Sequence, residues 1–196
     1  MDAWAAVLPA ATAAVDTANG DHRQGEITVD VSFSEIGCTH LRYHKWATGQ
    51  VLEQAIQQPA ELLVKDCKGS FGSIYDTLIH LYQADAIWWD RLQNRPTGTL
   101  ADYEAPGCTY ELRDAWFGVQ DKMLEFAAGL SDDAWQRDLS YKTLAGIPYQ
   151  TPIWQMVLHI VNHGSHHRGQ VTSMLRQLGV KPVSLDLIGF YRANRG

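Results

Sequence analysis

The sequence predicts an all-α fold: an antiparallel four-helix bundle with an extra N-terminal segment. Three observations carry this reading. Of the 196 residues, 45% are hydrophobic and 19% charged, the balance of a folded domain rather than a disordered chain. Four long stretches repeat apolar residues at helical spacing, each bounded by Gly, Pro or a capping residue. No internal repeat or long linker divides the chain, and its length suits one domain.

The elements follow in order. Residues 2–18 are Ala-rich and end at Asn19 and Gly20, with Pro9 inside the run, so a helix there starts late. Over residues 26–33, Ile27, Val29, Val31 and Phe33 alternate with Thr28, Asp30 and Ser32, which reads as a strand or as an extended segment packed on helices. Residues 1–33 are therefore expected to form an N-terminal extension packed on the bundle, and residues 34–196 the bundle itself. A first helix is predicted over 34–57 from Ile36, Leu41, Trp46, Val51, Leu52 and Ile56, with Gln58 and Pro59 ending it. Ser73, with Asp76 three residues on, opens a second helix that Arg95 and Pro96 stop after Asn94. Residues 95–108, broken by Gly98, Pro106 and Gly107, read as a loop. Thr109 is the expected cap of a third helix to Ala128, carried by Leu112, Trp116, Val119, Met123 and Phe126. Residues 139–150 fit a hairpin or an irregular loop. Thr151 as cap and Pro152 as first helical residue predict a fourth helix to Leu178, with Gly179 as the stop. The tail holds Val183, Leu185, Leu187, Ile188, Phe190 and Tyr191 and is expected to pack back.

Composition excludes several functions. The net charge is −6, and no basic run offers a footprint for nucleic acid. No stretch approaches 18 consecutive apolar residues, so no membrane span is expected. The first ten residues lack the basic region of a signal peptide. Cys38, Cys67 and Cys108 are odd in number and widely spaced, which fits a reducing cytoplasm better than a disulfide framework.

The chemistry lies in the histidines. Four of the eight fall within nine residues of the fourth helix: His159, His163, His166 and His167. On a helix, residues i and i+4 share a face, so His163 and His167 can aim two imidazoles at one point, with His159 a turn away. His80, midway along the second helix, could supply a third nitrogen, and three imidazoles with an open position describe a catalytic divalent-metal site. The same spacing also fits solvated side chains, or core histidines bonded to backbone. His166 lies about 100° around the helix from His167 and reads as a surface or supporting group. Familiar alternatives fail. Gly164 follows His163 and Ile160 follows His159, where the helical zinc-protease motif needs Glu. No Glu is followed three residues later by His, as carboxylate-bridged di-iron bundles require. Phosphate loops and serine-hydrolase elbows are also missing.

Four stretches carry a resemblance to a known family: LRYHKWATGQVLEQA at 41–55, GSIYDTLIHLYQADAIWW at 72–89, YQTPIWQMVLHIVNHGSHHRGQVTSMLRQLG at 149–179, and SLDLIGFYR at 184–192. The HxxxHRGQ element, followed by a helix end at QLG, is the most specific part. In these stretches the chain resembles the DinB-like (damage-inducible) family of metal-dependent proteins. The resemblance implies a four-helix bundle, usually dimeric. It also implies a three-histidine site for a divalent metal such as zinc or nickel, with His80, His163 and His167 as ligands by matching position and His159 and His166 outside the triad. Residues 1–35 are not explained by it.

The family contains transferases that use a low-molecular-weight thiol, besides members of unknown activity. A three-histidine metal can activate water for hydrolysis or hold a thiol as thiolate. With no Glu beside the histidine pair, the thiol reading asks less of the sequence. The expected function is thus transfer of a low-molecular-weight thiol to an electrophilic small molecule. The alternatives are a metal-dependent hydrolase or a non-catalytic, stress-related metal-binding protein. Asp85, just over a turn after His80, is the acidic candidate for catalysis, and it reads equally as a solvated helix charge. Tyr43 is a second catalytic candidate, and with His44 it could face the pocket. Arg168 and Gln170 are candidates for holding the ligands, and Trp88 and Trp89 for the core or a dimer interface. Seven Trp on four helices offer more apolar surface than a small bundle needs to hide, so a homodimer is expected.

Overall fold

The computed structural model describes residues 32–194 apart from residue 105. The expected N-terminal helix and the expected strand up to residue 31 lie outside the described residues, as does the packing of that extension on the bundle.

Four long helices form the bundle, among them α1 (Phe33–Ile56). It begins one residue earlier than its pattern suggested because Ser32 is the cap: its hydroxyl accepts from the Glu35 N–H, 3.0 Å. A short α2 (Ala60–Leu63) follows. Then comes α3 (Ile74–Leu92), capped as expected by Ser73, whose hydroxyl accepts from the Asp76 N–H (3.1 Å) and donates to the Asp76 carboxylate (2.6 Å). After a 3-10 turn over Leu100–Asp102 comes α4 (Thr109–Ala128). Its cap position is Cys108 rather than Thr109, with no side-chain cap bond; Thr109 is already helical.

A single turn, α5 (Asp132–Trp135), leads into β1 (Asp138–Lys142) and β2 (Pro148–Pro152), an antiparallel hairpin pairing Asp138 with Pro152 and Lys142 with Pro148. The fold is therefore mostly helical with one small hairpin. Thr151 and Pro152 close β2 instead of opening the next helix by a side-chain cap. The helix α6 (Ile153–Gln177) starts directly at the strand's end, where the Ile153 N–H bonds to the Arg137 carbonyl, 3.2 Å. Gly179 stops α6 with φ +82°, a left-handed conformation that glycine adopts without strain. The tail packs back as expected, ending in α7 (Leu187–Ala193), where Phe190 is buried against Tyr43 and Trp46.

Side-chain pairings give the topology. Arg113 reaches Glu53, and Lys45 pairs with Asp121, so α1 and α4 are antiparallel. His80 meets His163 while Trp88 meets His159, so α3 and α6 are antiparallel too. Phe33 packs on Trp154 and His44 on Arg168, so α1 and α6 run in the same direction. Asp85 meets Trp116 and Trp89 meets Phe126, so α3 and α4 also share a direction. Two antiparallel pairs thus lie side by side. The long 93–108 connection makes this possible by running back along α3. Tyr103 donates to Asp90 near the end of that helix, and Pro106 accepts from Tyr75 near its start. The packing brings His80 and the α6 histidines onto one seam and leaves a second polar cluster inside the core.

Candidate metal centre

The α3–α6 seam collects His80, His163 and His167. One ligand atom from each lies within 4.8 Å of the others, and the Nε2 atoms of His80 and His163 are 3.3 Å apart. Two tetrahedral ligands at about 2.05 Å from a zinc ion would be separated by roughly 3.3 Å. The His167 Nδ1–H donates to the Gln170 carbonyl oxygen, 2.8 Å, which leaves its Nε2 lone pair for a metal. The Gln170 amide nitrogen in turn reaches His166 Nε2, 3.3 Å. His166 therefore stands outside the cluster and bonds to Gln170, which in turn holds the His167 ring.

Two of the imidazoles are held in the form a metal needs. Burial pulls His80 down to about 4, with a further push from His167. Burial also pulls His163 down to about 4, helped by His167, His80 and His159 and opposed by Asp85. Both are neutral at pH 7. His159 stacks on His163 with ring centroids 5.9 Å apart and lies outside the set of converging nitrogens.

Phe71 is a site residue that the sequence reading missed. Its ring stacks on His80 at 4.0 Å and 19° and meets His167 edge-on at 5.4 Å. A tight turn presents it. Gly72 has φ +79°, its carbonyl accepts from the Cys67 N–H, and Gly69 and Gly72 bridge. The signal was the GSFGS run just before the α3 cap, a large apolar residue between glycines.

The acidic candidate lies elsewhere. Asp85 is buried, and its Oδ2 accepts from His44 Nε2 (2.8 Å), Trp116 Nε1 (2.6 Å) and Gln120 Nε2 (3.1 Å). Burial pushes its carboxyl up, but the His44 partner and these three hydrogen bonds hold it below its ordinary value. Beyond His44 stands Arg168, whose Nη1 lies 3.0 Å from His44 Nδ1. An arginine only donates, so His44 Nδ1 must accept and its Nε2–H must point to Asp85. The result is an imidazole bridging a buried cation and a buried anion. Gly164 leaves room for it: a Cβ there would overlap the His44 ring and come within 2.6 Å of Arg168 Nη1. Arg168 thus braces this inner cluster rather than the ligands. Tyr43 is buried and donates to the Leu185 carbonyl, 2.8 Å. Trp88 lies between His159 and Tyr141, and Trp89 packs on Phe126.

Comparison with known proteins agrees with this architecture. The chain matches the DinB family over residues 31–195. It belongs to the DinB family. It is 25% identical over 154 residues to Protein DinB of Bacillus subtilis, covering 74% of this chain and 87% of that protein. It is also 25% identical over 135 residues to the uncharacterized protein YizA of the same organism, covering 68% and 82% of the two chains. Among solved structures, a DinB-like protein from Bacillus cereus superposes with TM-score 0.57 and 18% identity. That match covers 74% of this DinB-family chain and 94% of the other, and it shows the shared fold.

Proposed function

We propose that this DinB-family protein is a metal-dependent enzyme that holds a divalent ion, zinc or nickel, through His80, His163 and His167 and transfers a low-molecular-weight thiol to an electrophilic small molecule. The observation that carries this reading is the convergence of three imidazoles, with His167 oriented by Gln170. When bound, such an ion supplies positive charge that favours a thiol as thiolate at a remaining coordination position. The chain's own residues do the rest. Gln170 sets the His167 tautomer, and Phe71 covers the His80 ring and keeps water from that side. The thiol sulfur forms the new bond to the electrophilic carbon, the leaving group departs with the electron pair, and the thiol proton passes to solvent.

The choice of thiol over water is supported by Asp85. This acidic candidate is buried and bound through Oδ2 to His44, Trp116 and Gln120, which ties it to the inner cluster rather than to the histidine triad. All three cysteines are free, which suits a reducing cytoplasm and a thiol drawn from solution. Among the described residues no helix is long and apolar enough to cross a membrane. Phe33 and Ile36 on α1 and Leu158 on α6 are exposed beside Trp154, a face suited to a homodimer. Light scattering at micromolar concentration should give about twice 21.9 kDa.

The test of function is metal analysis of the purified protein, followed by substitution with cobalt. Added thiols should produce a sulfur-to-cobalt charge-transfer band that depends on His163. Ester or amide turnover with no thiol-dependent band would mean hydrolysis instead. Bound metal with neither activity would mean a non-catalytic metal-binding protein.

A further inference from the structure

Among the described residues two arginines are buried, and only one has an anion to answer it. Arg168 reaches Asp85 through His44. Arg91 on α3 is 7% exposed, and among the described residues no carboxylate lies within 4.0 Å of its guanidinium nitrogens. Its Nε is buried without a partner, and its Nη2 has a single long bond to the Lys142 carbonyl, 3.4 Å. The flat group rests against two rings that also touch each other, 4.4 Å from Trp88 and 5.0 Å from Tyr141. Cation–π attraction offsets part of the cost of burying this charge, but it supplies no hydrogen-bond acceptor.

Two features surround this cation. On one side Tyr141 and Lys142, both in contact with Arg91, line a cavity of about 1010 Å³ that Pro96, Leu144 and Tyr149 also line. Beside Tyr141, Trp88 packs on His159, with ring centroids 4.8 Å apart, and His159 on His163. Arg91 is therefore one layer behind the lining of a large, partly aromatic cavity, under Tyr141 and Lys142, and is linked through Trp88 and His159 to the histidine cluster.

We infer that Arg91 receives the carboxylate of a small organic ligand whose apolar or aromatic body occupies the cavity beside the hairpin. A planar carboxylate matches the planar fork of an arginine and supplies the missing anion. Proteins retain such an unbalanced charge at the expense of stability where a ligand uses it. That this ligand is the substrate of the histidine centre rests on the metal reading above; the capture of the carboxylate does not.

The experiment titrates the full chain, metal-free and zinc-loaded, with benzoate and with its uncharged counterpart benzamide, following binding by calorimetry. Wild type should bind benzoate at least about tenfold more tightly than benzamide, the worth of one charge-assisted contact. Arg91→Met should bring the two within about twofold of each other, with helix content and zinc stoichiometry unchanged. Arg91→Gln, a polar replacement, should do the same and decides the matter if the methionine variant does not fold. Lys142→Met and Arg95→Met should leave the preference in place. A preference that survives loss of Arg91, that follows Lys142 or Arg95, or that wild type lacks overturns the assignment. Zinc affinity, measured by chelator competition, reads the other hypothesis separately. Loss of zinc binding with the benzoate preference intact overturns the metal centre and leaves Arg91 standing.

Discussion

Two histidine-centred clusters lie in this bundle, and their partners set them apart. His44 is enclosed by protein: Arg168 donates to one ring nitrogen, Asp85 accepts from the other, and Trp116 and Gln120 complete the Asp85 oxygen. Only Gln120 Oε1 and Arg168 Nε are left without partners there. His80, His163 and His167 instead turn nitrogens toward one another, and among the described residues Gln170 is the one acceptor placed on a ring of the triad. Neutral imidazoles gain little from facing one another, and they become good ligands once a cation stands between them. The first cluster ties α1, α3, α4 and α6 together. The second uses the α3–α6 seam that this bracing holds in register. The same residue type serves structure where its hydrogen bonds are answered by protein, and chemistry where they are left for something else.

The contrast breaks most directly at the triad. His163→Ala or His167→Ala should weaken metal binding by more than about a hundredfold, since partners one step further out are already worth 10- to 100-fold. His166→Ala should leave metal content as in wild type. Elemental analysis of the three purified variants checks this, and equal metal in all three removes the assignment.

The inner cluster should respond in the opposite sense. Asp85→Ala strands a buried cation and should cost about 3–5 kcal/mol of stability in urea unfolding. The folded fraction should still bind its metal. If the stability is unchanged and metal binding is lost, Asp85 belongs to the site and the distinction between the clusters collapses.

A smaller effect is expected at Gln170. Gln170→Leu removes the acceptor for His167 Nδ1 and should lower metal affinity by about 10- to 100-fold with little change in stability. Chelator competition measures it, and an affinity equal to wild type would show that the bond does not orient the ligand.

The gentlest probe is pH. His80 and His163 titrate near 4 in the folded protein, below the ordinary value of 6.5. Between those values the unfolded chain binds more protons than the folded one. The stability of metal-free protein should therefore fall as pH drops from 6.5 toward 4. Asp85, held below its ordinary 3.8, adds only a small loss of the same sign at the acid end of that window. Urea unfolding at pH 7 and pH 4.5 should show the loss in wild type and a smaller loss when His80 and His163 are replaced by Phe. An equal loss in both would trace it to other groups.

Much of this was legible in the chain. Apolar spacing and local stop signals placed all four long helices, because helical periodicity is a property of neighbours in sequence. The Ser73 cap and the Gly179 stop were readable for the same reason. The i, i+4 pair of His163 and His167 needed only the helix, and His80 joined them by family resemblance. Where two local rules competed, geometry chose. Thr151 and Pro152 spell a helix start, yet they pair in the hairpin because Asp138 and Leu139 meet them across the ladder.

What the sequence by itself determined, then, is the set of helices, the histidine stripe on α6 and the lack of a protease-type glutamate. Only the tertiary structure decided that neighbouring helices pair as α1 with α4 and α3 with α6. It alone placed Asp85 on His44 rather than in solvent, brought Phe71 onto His80, and left Arg91 against two rings with no anion among the described residues. The physical reason is range. A helix face is set by residues three and four apart, whereas the partner of a buried charge comes from another helix. His44 and Asp85 are 41 residues apart, and Arg168 and His44 are 124. No local pattern encodes such distances; they become fixed only when the four helices pack and each buried polar atom must find a partner or go without.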